Sequence, residues 1–176
     1  MAGLFYKTVD FYIYDMTTIS MVQKSGKLSE QLEIYLENMK NSLMKPENWK
    51  DVILSGDLST EYPSEQGVIA AFESGNLVYI GETGNIRGWV KDLRSSFNNT
   101  LRRNLGDYNF QTVVGYKKAS DREKFPSHIE NKVDSWLTEK IKISILATDL
   151  GRKELKERLI EELNPKYNKK GKRKEN

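Results

Sequence analysis

Gly67-Val68-Ile69-Ala70-Ala71-Phe72, followed shortly by Leu77-Val78-Tyr79-Ile80-Gly81-Glu82-Thr83-Gly84-Asn85, is the stretch that decides how this chain is read. Val68–Phe72 and Leu77–Ile80 are short apolar runs rich in β-branched and aromatic residues, with Ser74-Gly75-Asn76 between them. That pattern predicts a β-hairpin. Gly81–Asn85 then reads as a loop. Asn85 is placed to cap a helix over Ile86–Ser96, with Ile86, Val90 and Leu93 facing inward.

Toward the C-terminus, Asn99–Leu105 reads as a second short helix ended by Gly106, and Thr112–Tyr116 as a strand. A helix is expected from Pro126-Ser127 to about Lys140, with Ile129, Val133 and Trp136 as its apolar stripe. Ile141–Ala147 alternates as a strand does. Arg152–Leu163 is the last helix, stopped by Asn164-Pro165. Toward the N-terminus, Lys27–Leu43 carries leucines near helical spacing and Pro46 breaks it. Glu47–Leu54 is expected to form a short further helix, and Phe5–Tyr14 a strand. The expected organisation is an acidic N-terminal lobe over 1–66, a domain over 67–168 and a basic tail over 169–176. The fold class is α/β: a small antiparallel three-stranded sheet flanked by helices, with an N-terminal α/β extension.

Composition narrows the chemistry. The 176 residues hold no Cys and a single His, His128. Disulfide scaffolds, thiolate zinc sites and cysteine nucleophiles are excluded, and a Ser-His triad or multi-His metal site has too few parts. Any metal would need oxygen ligands, which suit Mg²⁺ or Mn²⁺. No run reaches the roughly 18 apolar residues of a membrane span, and the N-terminus lacks the features of a signal peptide. A cytoplasmic protein without membrane contact is expected. His128 sits near a helix start and reads as a surface or capping residue, and Trp49 and Trp136 read as core anchors.

The net charge of +3 hides a segregation. Residues 1–66 carry −4, residues 84–104 carry +4, and the segment from Lys166 carries +5. Arg87, Lys91, Arg94, Arg102 and Arg103, with the tail residues Lys169, Lys170 and Lys172, are the candidate phosphate contacts of a DNA-binding surface. A solvated helix face and a solubilising tail are the plainer reading of the same charges.

The paired runs Gly67-Val68-Ile69 and Tyr79-Ile80-Gly81, the following Glu82-Thr83-Gly84-Asn85 and the basic helix resemble the GIY-YIG nuclease superfamily. The closing Leu159-Ile160-Glu161-Glu162-Leu163-Asn164-Pro165-Lys166-Tyr167-Asn168 resembles that family's last helix and its Asn-Pro-x-Tyr-Asn ending. The resemblance covers residues 67–168. It implies a three-stranded antiparallel sheet with helices and cleavage of DNA with one divalent cation. The chemistry it implies uses a Tyr on each hairpin strand, an Arg ten residues after the second Tyr, and a metal-holding Glu on the last helix. A metal held by oxygen needs a carboxylate, and a pentacovalent phosphate needs a fixed cation.

Transferred residue by residue, the second Tyr is Tyr79 and the terminal Asn is Asn168. The other three chemical positions hold Ile69, Trp89 and Lys156. Ile69 can neither give nor take a proton. Lys156 puts a cation where the metal would sit. Arg87 lies about 200° around the helix from Trp89. Glu157 and Glu154 lie about 100° and 200° from Lys156. A register shifted by one, with Glu157 as the ligand, is the competing alignment.

Three functions are weighed. The first is a DNA-associated GIY-YIG-type protein, catalytically inactive or strongly impaired and without a cofactor, in a binding, inhibitory or regulatory role. The second is a Mg²⁺- or Mn²⁺-dependent endonuclease of restriction, repair or mobile-element type with a rearranged site: Tyr79, Arg87 and one of Glu82, Glu154 or Glu157. The third is a protein-interaction module presenting residues 1–66, with Tyr6, Phe11, Tyr12 and Tyr14 as interface aromatics. Trp89 either stacks on a base or fills the space of the absent Arg.

Overall fold

The structure is a computed structural model and describes residues 28–56 and 61–168. The chain divides into two compact units, residues 1–38 and 39–176. Helix α1 covers residues 28–44. The expected strand Phe5–Tyr14 and the tail lysines Lys169, Lys170 and Lys172 lie outside the described residues.

In the second unit a 3₁₀ turn, Pro46–Asn48, leads into strand β1, Lys50–Asp51. The order continues with β2 (Gly67–Glu73), β3 (Asn76–Thr83), α2 (Ile86–Asp92), α3 (Thr100–Phe110), α4 (Ser127–Lys140), β4 (Ile141–Ala147) and α5 (Arg152–Leu163). The four strands form one antiparallel sheet in the order β1-β4-β2-β3. The expected three-stranded sheet therefore has a fourth strand. It arises where a helix over Glu47–Leu54 was expected: Pro46 opens only one turn, and Lys50 and Asp51 then pair with Ile143 and Lys142.

The hairpin forms as its turn residues dictate. Ser74 and Gly75 both take positive φ, 50° and 83°, as a two-residue primed turn requires. The register pairs Ile69 with Gly81 and Ala71 with Tyr79, then slips at Phe72, which faces Leu77. Because side chains alternate across a strand, Ile69, Ala71, Tyr79, Gly81, Ile143 and Ile145 share one face. Val68, Ala70, Ile80, Glu82, Ser144 and Leu146 share the other. The first face joins the main core, with Ile86, Val90 and Leu93, Leu101 and Leu105 of α3, and Ile129, Val133 and Leu137 of α4. Helix α5 packs on β3 and β2 through Leu155 and Leu159, while Leu163 is exposed.

Three sequence expectations are corrected. Thr112–Tyr116 is not a strand but successive turns: Val113 N–H reaches Phe110 O, Tyr116 N–H reaches Val113 O, and Gly115 has φ 75°. Helix α2 ends at Asp92, and turns lead to the Asn99 cap, so it does not run to Ser96. Gly106 does not end α3, which runs to Phe110. Its missing side chain makes room for the Phe125 ring, which any Cβ there would strike.

Candidate functional site

Strand β3 is an edge strand, and its outer side is closed by the C-terminal segment. Asn164 ends α5 in the left-handed conformation and Pro165 follows. Tyr167 N–H then bonds Val78 O at 2.8 Å. Asn168 clasps Ile80 from both ends: its Oδ1 accepts from Ile80 N–H and its Nδ2 donates to Ile80 O, each at 2.8 Å. Asn104 Nδ2 holds Tyr167 O at 2.8 Å from α3. A single carboxamide thus replaces the next strand of the sheet, satisfying two backbone groups that would otherwise be orphaned.

Beside this clasp lies a cleft of about 390 Å³ that straddles the edge of β3. Tyr79, Glu82 and the Ile80-Gly81 backbone form its floor. Trp89 from α2 and Asn98, Thr100 and Asn104 at α3 form one wall. Lys156 and Ile160 of α5, with Asn168, form the other. Of the candidates drawn from the sequence, Tyr79, Glu82, Trp89, Lys156 and Asn168 are brought together here. Asn98, Thr100 and Asn104 were not singled out, although the polar run Asn98-Asn99-Thr100 and Asn104 one helical turn on are the signal that would have found them.

Tyr79 is almost wholly buried. Its ring stacks on Trp89, with centroids 6.2 Å apart and planes at 25°, and lies across Gly81. A Cβ on Gly81 would come within 2.8 Å of the Tyr79 ring and hydroxyl, so only glycine fits there. Burial pushes the phenol up to about 12, and the Arg103 guanidinium and a hydrogen bond from the Trp89 side chain pull back only part of that. A phenol in that state is a poor base near neutral pH. Ile69 is fully buried and pairs with Gly81 across the hairpin.

Lys156 Nζ bonds Glu82 Oε1 at 3.1 Å, both side chains about one-third exposed. Glu82 is the only carboxylate of the lining, and Glu154 and Glu157 are exposed and outside it. This lining does not fit a divalent ion. Its one acidic ligand is already engaged by an ammonium, and no group of three or more His, Cys, Asp or Glu residues able to hold a metal occurs among the described residues.

The basic residues of 84–104 divide sharply. Arg102 is removed from the nucleic-acid set: it is buried to 1% exposure. Its Nε donates to Glu130 Oε2 at 2.7 Å, its Nη1 to Leu93 O at 2.8 Å, and its Nη1 pairs with Asp134 at 2.5 Å. Ser96 Oγ donates to the other oxygen of Glu130 and accepts from Phe125 N–H, so this arginine joins α2, α3 and α4. Arg87 is half-buried and donates to Tyr62 O. Arg94 is exposed with one contact to Gly56 O. Arg103 is half-buried and donates to Ser96 O and Phe97 O. Lys91 is exposed.

No family model matches the sequence, and no curated protein does. Among solved structures the chain is similar to the GIY-YIG N-terminal endonuclease domain of UvrC from Thermotoga maritima. In its magnesium-bound form the identity is 16%, over 61% of this chain and 88% of that chain, with a TM-score of 0.34. Two point mutants of that domain bound to its catalytic divalent cation, one Tyr to Phe and one Asn to Ala, give 16% over 62% and 88% at the same TM-score. The fold is α/β, with one four-stranded antiparallel sheet. At a TM-score of 0.34 the overlap itself decides nothing. The GIY-YIG likeness stands on the hairpin, the edge strand bearing Tyr79-Ile80-Gly81, the Asn85-capped helix and the Asn164–Asn168 ending, each at its observed place. No helix among the described residues is long and apolar enough to cross a membrane.

Proposed function

We propose that this chain binds nucleic acid through a GIY-YIG-like domain that has lost nuclease chemistry and needs no divalent cation. The observation that carries this reading is the Lys156–Glu82 ion pair. It fills the position where the family resemblance expects a metal-holding carboxylate and engages the only carboxylate among the described residues that line the cleft. A divalent cation a few ångströms from Lys156 would meet repulsion of about 2–8 kcal/mol. Ile69 offers no group to give or take a proton, and burial leaves the Tyr79 phenol a poor base near neutral pH.

Binding is supported by the positive balance around the cleft. Arg103 lies beside Tyr79, and Arg152 Nη1 bonds Thr83 O next to Glu82. Lys91 and Arg94 add exposed charge on the α2 side. Lys169, Lys170 and Lys172 follow Asn168 directly in sequence. A contact of residues 1–66 with a protein partner has no further support here, since its aromatics fall outside the described residues.

The test is incubation with supercoiled plasmid and with single-stranded circular DNA, in Mg²⁺ and in Mn²⁺, beside filter retention at rising salt. The expected result is no cut product, and retention that weakens steeply with salt. Nicked or linear product overturns the loss of chemistry and restores the rearranged-site endonuclease. Absent or salt-insensitive retention overturns the binding role.

A further inference from the structure

We propose that the β3-edge cleft holds one unpaired nucleotide of a single strand, its base against Trp89 and its phosphate at Lys156. The inference rests on the nucleic-acid-binding reading above and specifies which form is bound.

The lining combines three chemistries that together suit a nucleotide. Trp89 offers an indole backed on the Tyr79 ring, half-buried within the cleft and not standing on an open surface. Aromatic side chains of that kind take single bases by stacking. Asn98, Thr100, Asn104 and Asn168 surround it with amide and hydroxyl groups. Asn168 spends both ends of its amide on Ile80, whereas Asn104 has only its Nδ2 engaged among the hydrogen bonds seen, on Tyr167 O. Asn104 also lines the cleft, so its oxygen is the amide acceptor there without a partner among the hydrogen bonds seen, available to a base edge. Lys156 uses one of three N–H donors on Glu82, and Arg103 and Arg152 tip the local balance positive, which suits a phosphate.

Size and depth exclude paired DNA. About 390 Å³ lies near the lower end of ligand-site volumes, enough for one nucleotide and too little for a stretch of duplex. Helices α2 and α3 wall one side and α5 the other, and the Tyr167-Asn168 segment closes one end. A base inside a duplex cannot reach a recessed indole without leaving its stack.

The replacements fit the same picture. An aromatic at position 89 and an ammonium at position 156 give a stacking surface and an anion contact. Neither hydrolyses a phosphodiester, and both hold a nucleotide in place.

The experiment uses the full chain with three probes: thymidine monophosphate, a labelled oligothymidylate of about ten nucleotides, and the same strand annealed to its complement. Affinities are read by anisotropy and tryptophan quenching at about 50 and 200 mM salt. The strand is expected to bind at least about tenfold tighter than the duplex or the mononucleotide, and to quench fluorescence. Trp89→Leu should weaken strand binding about tenfold or more, Trp89→Phe only about threefold, and Lys156→Gln should lower affinity and its salt dependence. Should Trp89→Leu fail to fold, quenching of the native chain against that of Trp89→Phe still isolates the indole from Trp49 and Trp136. Equal binding of duplex and strand, or no change in Trp89→Leu, overturns the proposal while leaving a non-cleaving nucleic-acid binder. Equal binding of the mononucleotide overturns the strand as occupant. No binding of any probe overturns both readings.

Discussion

Asn168 and Lys156 reach one cleft from the same C-terminal stretch, yet they act on it in opposite ways. Asn168 belongs to a frame: it closes the edge of β3 with two hydrogen bonds of 2.8 Å, backed by Tyr167 on Val78 and Asn104 on Tyr167. Lys156 belongs to a lip: one ion pair, about one-third exposed, which joins α5 to β3 at the solvent's edge and adds little to stability. The frame cannot vary without orphaning backbone groups, which costs kcal/mol-scale stability at each. The lip can exchange a carboxylate for an ammonium at almost no cost to the fold. The residues that fasten the β3 edge can therefore stay fixed while the side chains at the lip of the cleft change.

The most severe way to break this division is on the frame side. Arg102→Ala should cost about 3–5 kcal/mol, because Glu130 and Asp134 would lose their buried cation. Urea unfolding measures it, and a loss below about 1 kcal/mol would return Arg102 to the surface set. Next comes Asn168→Ala, expected to cost about 2–4 kcal/mol by leaving Ile80 N–H and C=O unpaired. Asn168→Asp keeps only the acceptor and should recover about half.

The third prediction concerns pH. Tyr79 is held up at about 12 by burial, above its ordinary value of 10.0. Below pH 10 the phenol is neutral in both states and its contribution is intact. As pH rises from 10 toward 12 the unfolded chain ionises first, so stability falls, by about 2–3 kcal/mol once pH passes the folded value. Tyr62 and Tyr167 are raised chiefly by burial too and add loss of the same sign. Tyr79→Phe should remove its own share of the alkaline loss, and an identical pH profile in that variant would sink the assignment.

The smallest effect belongs to the lip. Lys156→Glu sets a second carboxylate beside Glu82 and should lower stability by less than about 1 kcal/mol in chelator. Millimolar Mn²⁺ should raise the melting temperature of the variant and leave the native chain unchanged. An equal response of both would show that Lys156 does not keep cations out.

What the sequence revealed of the fold was what local chemistry controls. The hairpin followed from Ser74-Gly75, the α2 start from Asn85, and the span Arg152–Leu163 from its leucines and the Asn164-Pro165 stop. What it hid depended on partners far along the chain. Thr112–Tyr116 has β-prone residues, but Gly115 turns the backbone and His128 fastens the loop through Val114 O at 3.1 Å. Gly106 resembles a helix stop, and its role is set by Phe125. The charge of Arg102 was visible, but its burial was not, because Glu130 and Asp134 meet it only once α4 packs on α3. Tyr79, Glu82, Trp89, Lys156 and Asn168 of the site could be read from motif spacing. The carboxamide wall was missed: its only signal was the uncharged polar run Asn98-Asn99-Thr100 with Asn104 one helical turn on, and a polar run of that kind is as common on a solvated helix start as in a cleft.

The amide clasp on Ile80 has a consequence for the company this protein keeps. Strand β3 is long and apolar, with Leu77, Val78, Tyr79 and Ile80 in succession. Its outward N–H and C=O groups are the kind that recruit a neighbouring chain into a growing sheet. Asn168 and Tyr167 occupy those groups with the molecule's own ending. Releasing that segment, by proteolysis or substitution, would convert a closed edge into a sticky one and make the chain a seed for edge-to-edge polymerisation.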